Sequence, residues 1–136
     1  MCTLKNIILC LGLMIIPASL MAQNPCACCT DNHKAFDFWV GDWMVFDTSG
    51  NKIGENKIDK IEGNCILNEH WIGGKGNTGS SYNYYDVTDS TWNQVWIDNK
   101  GGNLVLKGKA SNNKMILKSK FQNGPNGNMY CNRITW

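Results

Sequence analysis

The sequence predicts an all-β fold, an antiparallel up-and-down meander barrel of about eight strands that is incomplete or open at its C-terminal edge. Three observations carry that expectation. Short β-prone runs alternate with Gly, Asn, Asp and Ser clusters roughly every 8–12 residues. No stretch beyond Trp43 shows the period of an amphipathic helix. The octet Phe36-Asp37-Phe38-Trp39-Val40-Gly41-Asp42-Trp43 concentrates aromatics that need a large apolar space, with a glycine placed to turn the chain just before the first strand.

At the N-terminus, Lys5 precedes the apolar run 7–16, which breaks at Pro17 and passes through small residues to Ala22. The run is about half of the roughly 20 residues a membrane-spanning helix needs, so residues 1–22 read as a secretory signal peptide and the protein as secreted or periplasmic. Cys26 is separated from the small-residue box by Gln23-Asn24-Pro25, which does not match an acylated anchor. Residues 23–35 then read as a flexible Cys-rich tail and residues 36–136 as one domain. The chain of 136 residues less 22 leaves 114, enough for one core and too few for two.

The formal net charge of +2 falls to +1 without Lys5, and the lysines are scattered. No footprint for nucleic acid or an anionic membrane emerges, and a small or neutral partner is expected. Cys26, Cys28, Cys29, Cys65 and Cys131 remain past the leader. Choosing the leftover in five ways and pairing the other four in three gives 15 connectivities. Cys26, Cys28 and Cys29 with His33 have the chemistry of a soft-metal site. The competing expectation, which is preferred, is a tail without metal whose cysteines bridge each other, bridge Cys65 or Cys131, or stay unpaired.

Eight candidate strands follow in order, at 42–47, 52–62, 64–72, 80–86, 91–98, 103–108, 114–121 and 129–136. Ser49-Gly50-Asn51, Asn99-Lys100-Gly101-Gly102, Ser111-Asn112-Asn113 and Asn123-Gly124-Pro125-Asn126-Gly127 supply turn chemistry between them. Alternation sets Leu104, Leu106, Met115, Leu117 and Phe121 on a dry face, against lysines on the wet one. In 91–98, Trp92, Gln94 and Trp96 share one face. Tyr82 and Tyr84 oppose Tyr85, and their rings are expected to project inward with them. The glycine-rich 72–79 lacks the order of a phosphate loop and reads as a connection or lid.

Of two histidines, His33 lies in the tail, leaving His70 in Asn68-Glu69-His70-Trp71. On a strand Glu69 and His70 face opposite ways, which weakens an acid–base pair between them. No Gly-x-Ser-x-Gly, His-Glu-x-x-His or paired Cys-x-x-Cys appears, so no catalytic residues are assigned. The sole arginine, Arg133, is expected to stack on Trp39 and Trp43 at the barrel end.

Gly41-Asp42-Trp43 resembles the Gly-x-Trp opening motif of lipocalins and related calycin-like barrels. Phe36 to Trp43, Asn64-Cys65-Ile66-Leu67-Asn68-Glu69, Tyr85-Asp86 and Trp92-Asn93-Gln94-Val95-Trp96-Ile97-Asp98 resemble the DUF1579 type of exported bacterial protein, distantly similar to nitrobindin-like haem barrels. The likeness spans residues 36–136 and implies a lipocalin-like barrel in which Gly41 turns the chain and Trp43 plugs one end. Replacing Trp43 with alanine is then expected to cost on the order of 3–5 kcal/mol. Family members continue with further strands past the equivalent of Arg133-Ile134-Thr135-Trp136, which implies a shortened chain here. In the distantly similar nitrobindin-like barrels the haem-ligating histidine lies near the C-terminus, and no histidine follows His70 here, so no cofactor is expected.

The functional expectation is an exported binding protein holding a small apolar or amphipathic molecule against Tyr82, Tyr84, Trp92 and Trp96, with Gln94, Asn83 or His70 selecting a polar end. An isomerase or hydrolase using Glu69 and His70 is the first alternative. The second is an interaction module that pairs, or self-associates, through an open sheet edge.

Overall fold

The computed structural model of the chain describes residues 26–136. The expected signal peptide at 1–22, with Cys2 and Cys10, and residues 23–25 of the expected tail lie outside the described residues. Ten strands follow a short N-terminal helix α1 (Asp31–Lys34) and a 3-10 turn (Asp37–Trp39). They are β1 (Gly41–Phe46), β2 (Lys52–Ile61), β3 (Ile66–Gly73), β4 (Thr78–Asp86), β5 (Thr91–Asp98), β6 (Asn103–Ser111), β7 (Lys114–Lys118), β8 (Gln122–Asn123), β9 (Met129–Tyr130) and β10 (Arg133–Thr135). Eight form one antiparallel sheet in the order β1-β2-β3-β4-β5-β6-β7-β10, while β8 and β9 pair in a separate ribbon. The sheet curls into an open half-barrel, with β1 and β10 at its two edges.

Seven of the expected strands stand within a few residues of their expected bounds. The eighth is divided. Met129 and Tyr130 pair with Gln122 and Asn123 across the glycine–proline turn, and only Arg133–Thr135 reaches the large sheet, against β7. Expected strand 114–121 correspondingly ends at Lys118, and Phe121 is exposed rather than on the dry face.

Strand register decides what faces inward. Asn83 pairs with Gln94 and Gln94 with Leu106, so these share the concave face with Trp92 and Trp96. Tyr82 pairs with Val95 on the opposite, convex face, and Tyr84 shares that face by the two-residue period. The expected inward projection of Tyr82 and Tyr84 is therefore corrected: they are 55% and 40% exposed, and Tyr85, Ser81 and Asn83 point inward instead.

The core fills one end of the concave face. Phe36, Trp39, Ile58, Leu67, Trp92, Leu106, Met115 and Leu117 are buried together, with Tyr85, Leu104, Ile134 and Trp136 packed against them. What closes this end is the N-terminal segment, so the expectation of a flexible tail at 23–35 is corrected over the residues described. Thr30 caps α1 through His33 N–H, and His33 is buried with its ring edge-on to Tyr85. Cys28–Cys65 bridges the segment to the turn between β2 and β3, and Cys26–Cys29 closes a small loop within it. Among the described residues Cys131 is the free thiol. The bridges occupy all three cysteines of the soft-metal alternative, and the described residues hold no group of three or more potential ligands.

Trp39 serves as a plug, but Trp43 does not. Gly41 turns the chain into β1 with φ +136°, a backbone angle that a side chain would strain. Trp43 then pairs with Asn56 on the concave side of an edge strand, where it stays 44% exposed and donates its indole N–H to Trp39 O at 2.8 Å. Phe36, fully buried and stacked on Trp39, is the plug ring in its place. The expected stacking of Arg133 on Trp39 and Trp43 is likewise corrected. Arg133 pairs with Lys118 on the convex face and is exposed, and Trp136 is the residue that packs on Trp39, ring centroids 5.4 Å apart.

The connection 72–79 is pinned rather than loose. Asn99 donates to Gly76 O at 2.8 Å, and its backbone N–H donates to Thr78 O at 2.9 Å, tying the connection to the turn after β5.

Candidate functional site

Midway along the concave face, beyond the aromatic plug, four adjacent strands each contribute an inward polar side chain. Asn56 comes from β2, Glu69 from β3, Ser81 and Asn83 from β4, and Gln94 from β5. All five are buried. A buried polar group is costly unless hydrogen-bonded, and these converge on one carboxylate. Asn56 Nδ2 donates to Glu69 Oε1 at 2.8 Å and Ser81 Oγ donates to Glu69 Oε2 at 2.6 Å. Gln94 Nε2 approaches Oε2 at 3.5 Å, a long contact. Asn83 Nδ2 donates to Ser81 Oγ at 2.8 Å and Leu67 O at 3.1 Å. Every side-chain amide nitrogen in the cluster thus has at least one partner, while Asn56 Oδ1 and Asn83 Oδ1 have none.

Burial pushes the Glu69 carboxyl above its ordinary range, opposed by the hydrogen bonds from Ser81 and then Asn56. A folded-state value above the unfolded one means the native protein binds the proton more tightly. Stability therefore falls as pH rises from the ordinary carboxylate range through the folded value, and is lowest above it. Glu69→Gln keeps the shape and removes the charge. It is expected to stabilise the fold at neutral pH by on the order of 1 kcal/mol, read from urea unfolding, and to flatten the pH dependence over that window.

Glu69 and Gln94 form the polar floor of a cavity of about 270 Å³, open on one side, whose walls are Trp96, Leu104, Ile134 and Trp136. Trp136 joins this cavity to the plug, its ring 5.2 Å from that of Phe36. On the far side Trp96 lies with its benzo half over Gly79, and a methyl group there would collide with the ring. Gly79→Ala is expected to displace Trp96 and weaken any ligand held by it about tenfold or more. The check is a binding titration beside a urea curve, since a pure folding effect would move only the latter.

Of the residues expected at a site, Gln94 and Trp96 are brought together here. Trp92 is elsewhere. It is 3% exposed in the core and donates its indole N–H to Asn32 O at 3.1 Å, holding α1 in place. His70 is a further correction, since it lies exposed on the convex face with Nδ1 3.2 Å from Ser80 Oγ. Tyr82 lines a separate convex depression with Val95 and Ile97. The Glu69/His70 acid–base pair is accordingly not assembled, as strand alternation predicts. Glu69 as the centre of a network, and Asn56, Ser81, Ile134 and Trp136 as its surroundings, escaped the sequence reading. The available signal is two inward polar pairs, Glu69 opposite Ser81 and Asn83 opposite Gln94, with Asn56 diagonal to Glu69, visible only once the strands are paired.

Fold and site together define an open, all-β meander half-barrel with a carboxylate-floored, tryptophan-walled cavity on its concave face. Comparison with protein-family models, with curated proteins and with solved structures gives no match.

Proposed function

We propose that the protein is an exported binding protein that holds a small amphipathic molecule in the concave cavity without transforming it. The observation that carries this reading is the convergence of Trp96, Leu104, Ile134 and Trp136 over a floor made by Glu69 and Gln94, an apolar wall with a few placed polar groups. Binding works by burial, at roughly 25 cal/mol per Å² of apolar ligand surface removed from water, with the floor orienting the polar end. Catalysis is disfavoured because acid–base chemistry needs a second ionisable group beside Glu69, and among the described residues no histidine, lysine or arginine makes an ion pair with it. The leader sequence and two disulfides favour export to an oxidising compartment. The resemblance to DUF1579-type and lipocalin-like barrels is in keeping with this assignment.

Intrinsic tryptophan fluorescence tests it, because Trp96 and Trp136 line the cavity. A panel of short-chain and aromatic amphiphiles is expected to include members that shift the emission of the wild type and not of Gly79→Ala. If no member shifts the emission of folded wild-type protein, the reading is wrong.

The unpaired outer edges of β1 and β10 favour a second reading, self-association by strand addition. A monomeric mass by light scattering across the micromolar range would remove it.

A further inference from the structure

We infer that the cavity is specific for an organic cation, with an amine seated on Glu69 and its apolar body against Trp96, Leu104, Ile134 and Trp136. This rests on the reading of the cavity as a site for a small amphipathic molecule and names its chemical class.

The first support is the state of the carboxylate. Glu69 is 8% exposed and has two good donors, Asn56 Nδ2 and Ser81 Oγ, against the roughly four hydrogen bonds that two carboxylate oxygens can accept. It also has no counter-charge. None of the four ion pairs among the described residues includes it. The other charged groups turned to this face are committed elsewhere. Lys60 is held on Asp37 at 2.7 Å and 2.8 Å beside the plug, and Asp98 accepts the backbone N–H groups of Lys100 and Gly102 in the turn after β5. His33 is buried against Tyr85 within the plug.

The second support is the sense of the hydrogen bonds. The side-chain amide nitrogens of Asn56, Asn83 and Gln94 are turned onto Glu69 or Ser81, so the groups left unpartnered behind the carboxylate, at Asn56 and Asn83, are oxygens, acceptors that do not themselves line the cavity. A ligand carboxylate would bring a like charge to this surplus of acceptors. A neutral ligand would cover Glu69, displace the water that reaches it and leave its charge unpaired, which is unfavourable. An ammonium group supplies both the missing donors and the missing charge. The third support is the wall, because the indoles of Trp96 and Trp136 are the ring type that attracts cations best.

The test uses three probes with the same apolar body, 3-phenylpropylamine, 3-phenylpropanol and 3-phenylpropanoate, titrated into the full chain by tryptophan fluorescence. Wild type is expected to bind the amine about tenfold or more tighter than the alcohol, with the carboxylate weakest. Glu69→Gln is expected to bring amine and alcohol to within about twofold of each other. Lowering the pH is expected to weaken the amine alone, since protons compete for the same carboxylate. Equal binding of alcohol and amine by wild type, or an amine preference that survives in Glu69→Gln, overturns the cation assignment and leaves the binding site standing. No response to any of the three, with folding verified by circular dichroism, overturns the site and the cation assignment together.

Discussion

Replacing Phe36 with alanine is expected to lower the stability of the domain by roughly 3–5 kcal/mol, the range seen for large aromatic truncations in a core. Phe36 is fully buried, and four rings meet it. Trp39 stacks on it with centroids 4.9 Å apart, Trp92 and Trp136 meet it edge-on at 5.5 Å and 5.2 Å, and Phe38 lies tilted at 5.5 Å. Position explains why so much rests on one ring. A closed barrel covers its concave face with its own far wall, whereas in this half-barrel the end of the face near Tyr85, Trp92 and Met115 is covered by the N-terminal segment. Phe36 is the residue by which that segment enters the core. Its loss leaves a void that the sheet, held by ladder hydrogen bonds, closes poorly. Urea denaturation followed by tryptophan emission measures the effect, with Phe38→Ala as the control. Phe38 is 47% exposed and should cost about 1 kcal/mol or less. Equal midpoints for the two variants would refute the plug.

The strands were legible in the sequence because each carries its own signal, a period of two bounded by turn residues, as in 91–98 and 114–118. The site was only half legible, because the face a strand presents inward is not written in that strand alone. Tyr82-Asn83-Tyr84-Tyr85 offers aromatics on both faces, and hydrophobic matching by itself favours the two tyrosines inside. Pairing across the sheet reverses that choice. Trp92, Gln94 and Trp96 must face the core together, Asn83 lies opposite Gln94, and Tyr82 and Tyr84 are left on the convex face. Pairing also sets Glu69 opposite Ser81 and Gln94 diagonal to Ser81 on the same face, a buried polar cluster that opposes the usual rule for interiors. Such a cluster is recognisable only as a network, since each member taken singly looks like a surface residue. Trp43 and Arg133 depart from expectation for a related reason. The sequence places both at a closed barrel end, and the open sheet puts Trp43 on an edge strand and Arg133 on the outside. The N-terminal segment left almost no periodic trace, because α1 has four residues and is held by a cap, two bridges and the burial of Phe36 rather than by an amphipathic pattern.

That segment is also where the largest covalent contribution is expected. Cys28 and Cys65 are 37 residues apart, and in the chain-entropy description a loop of that size contributes about 4 kcal/mol by restricting the unfolded state. Cys26 and Cys29 are separated by three, which in the same description contributes about 2 kcal/mol or less. In a background of Cys131→Ser, which removes the free thiol, the pair Cys28→Ser with Cys65→Ser is therefore expected to lower the midpoint far more than Cys26→Ser with Cys29→Ser. Denaturant midpoints under non-reducing conditions decide the order, and equal losses would show that loop length is not the cause. The long bridge and Phe36 act on the same event, the docking of residues 26–39 over the core, so their losses should not add. With the tether gone, the segment docks less often and Phe36 contributes in fewer molecules. Phe36→Ala is accordingly expected to cost less in the Cys28/Cys65 double variant than in the bridged protein, and full additivity would mean that the bridge stabilises something other than the plug.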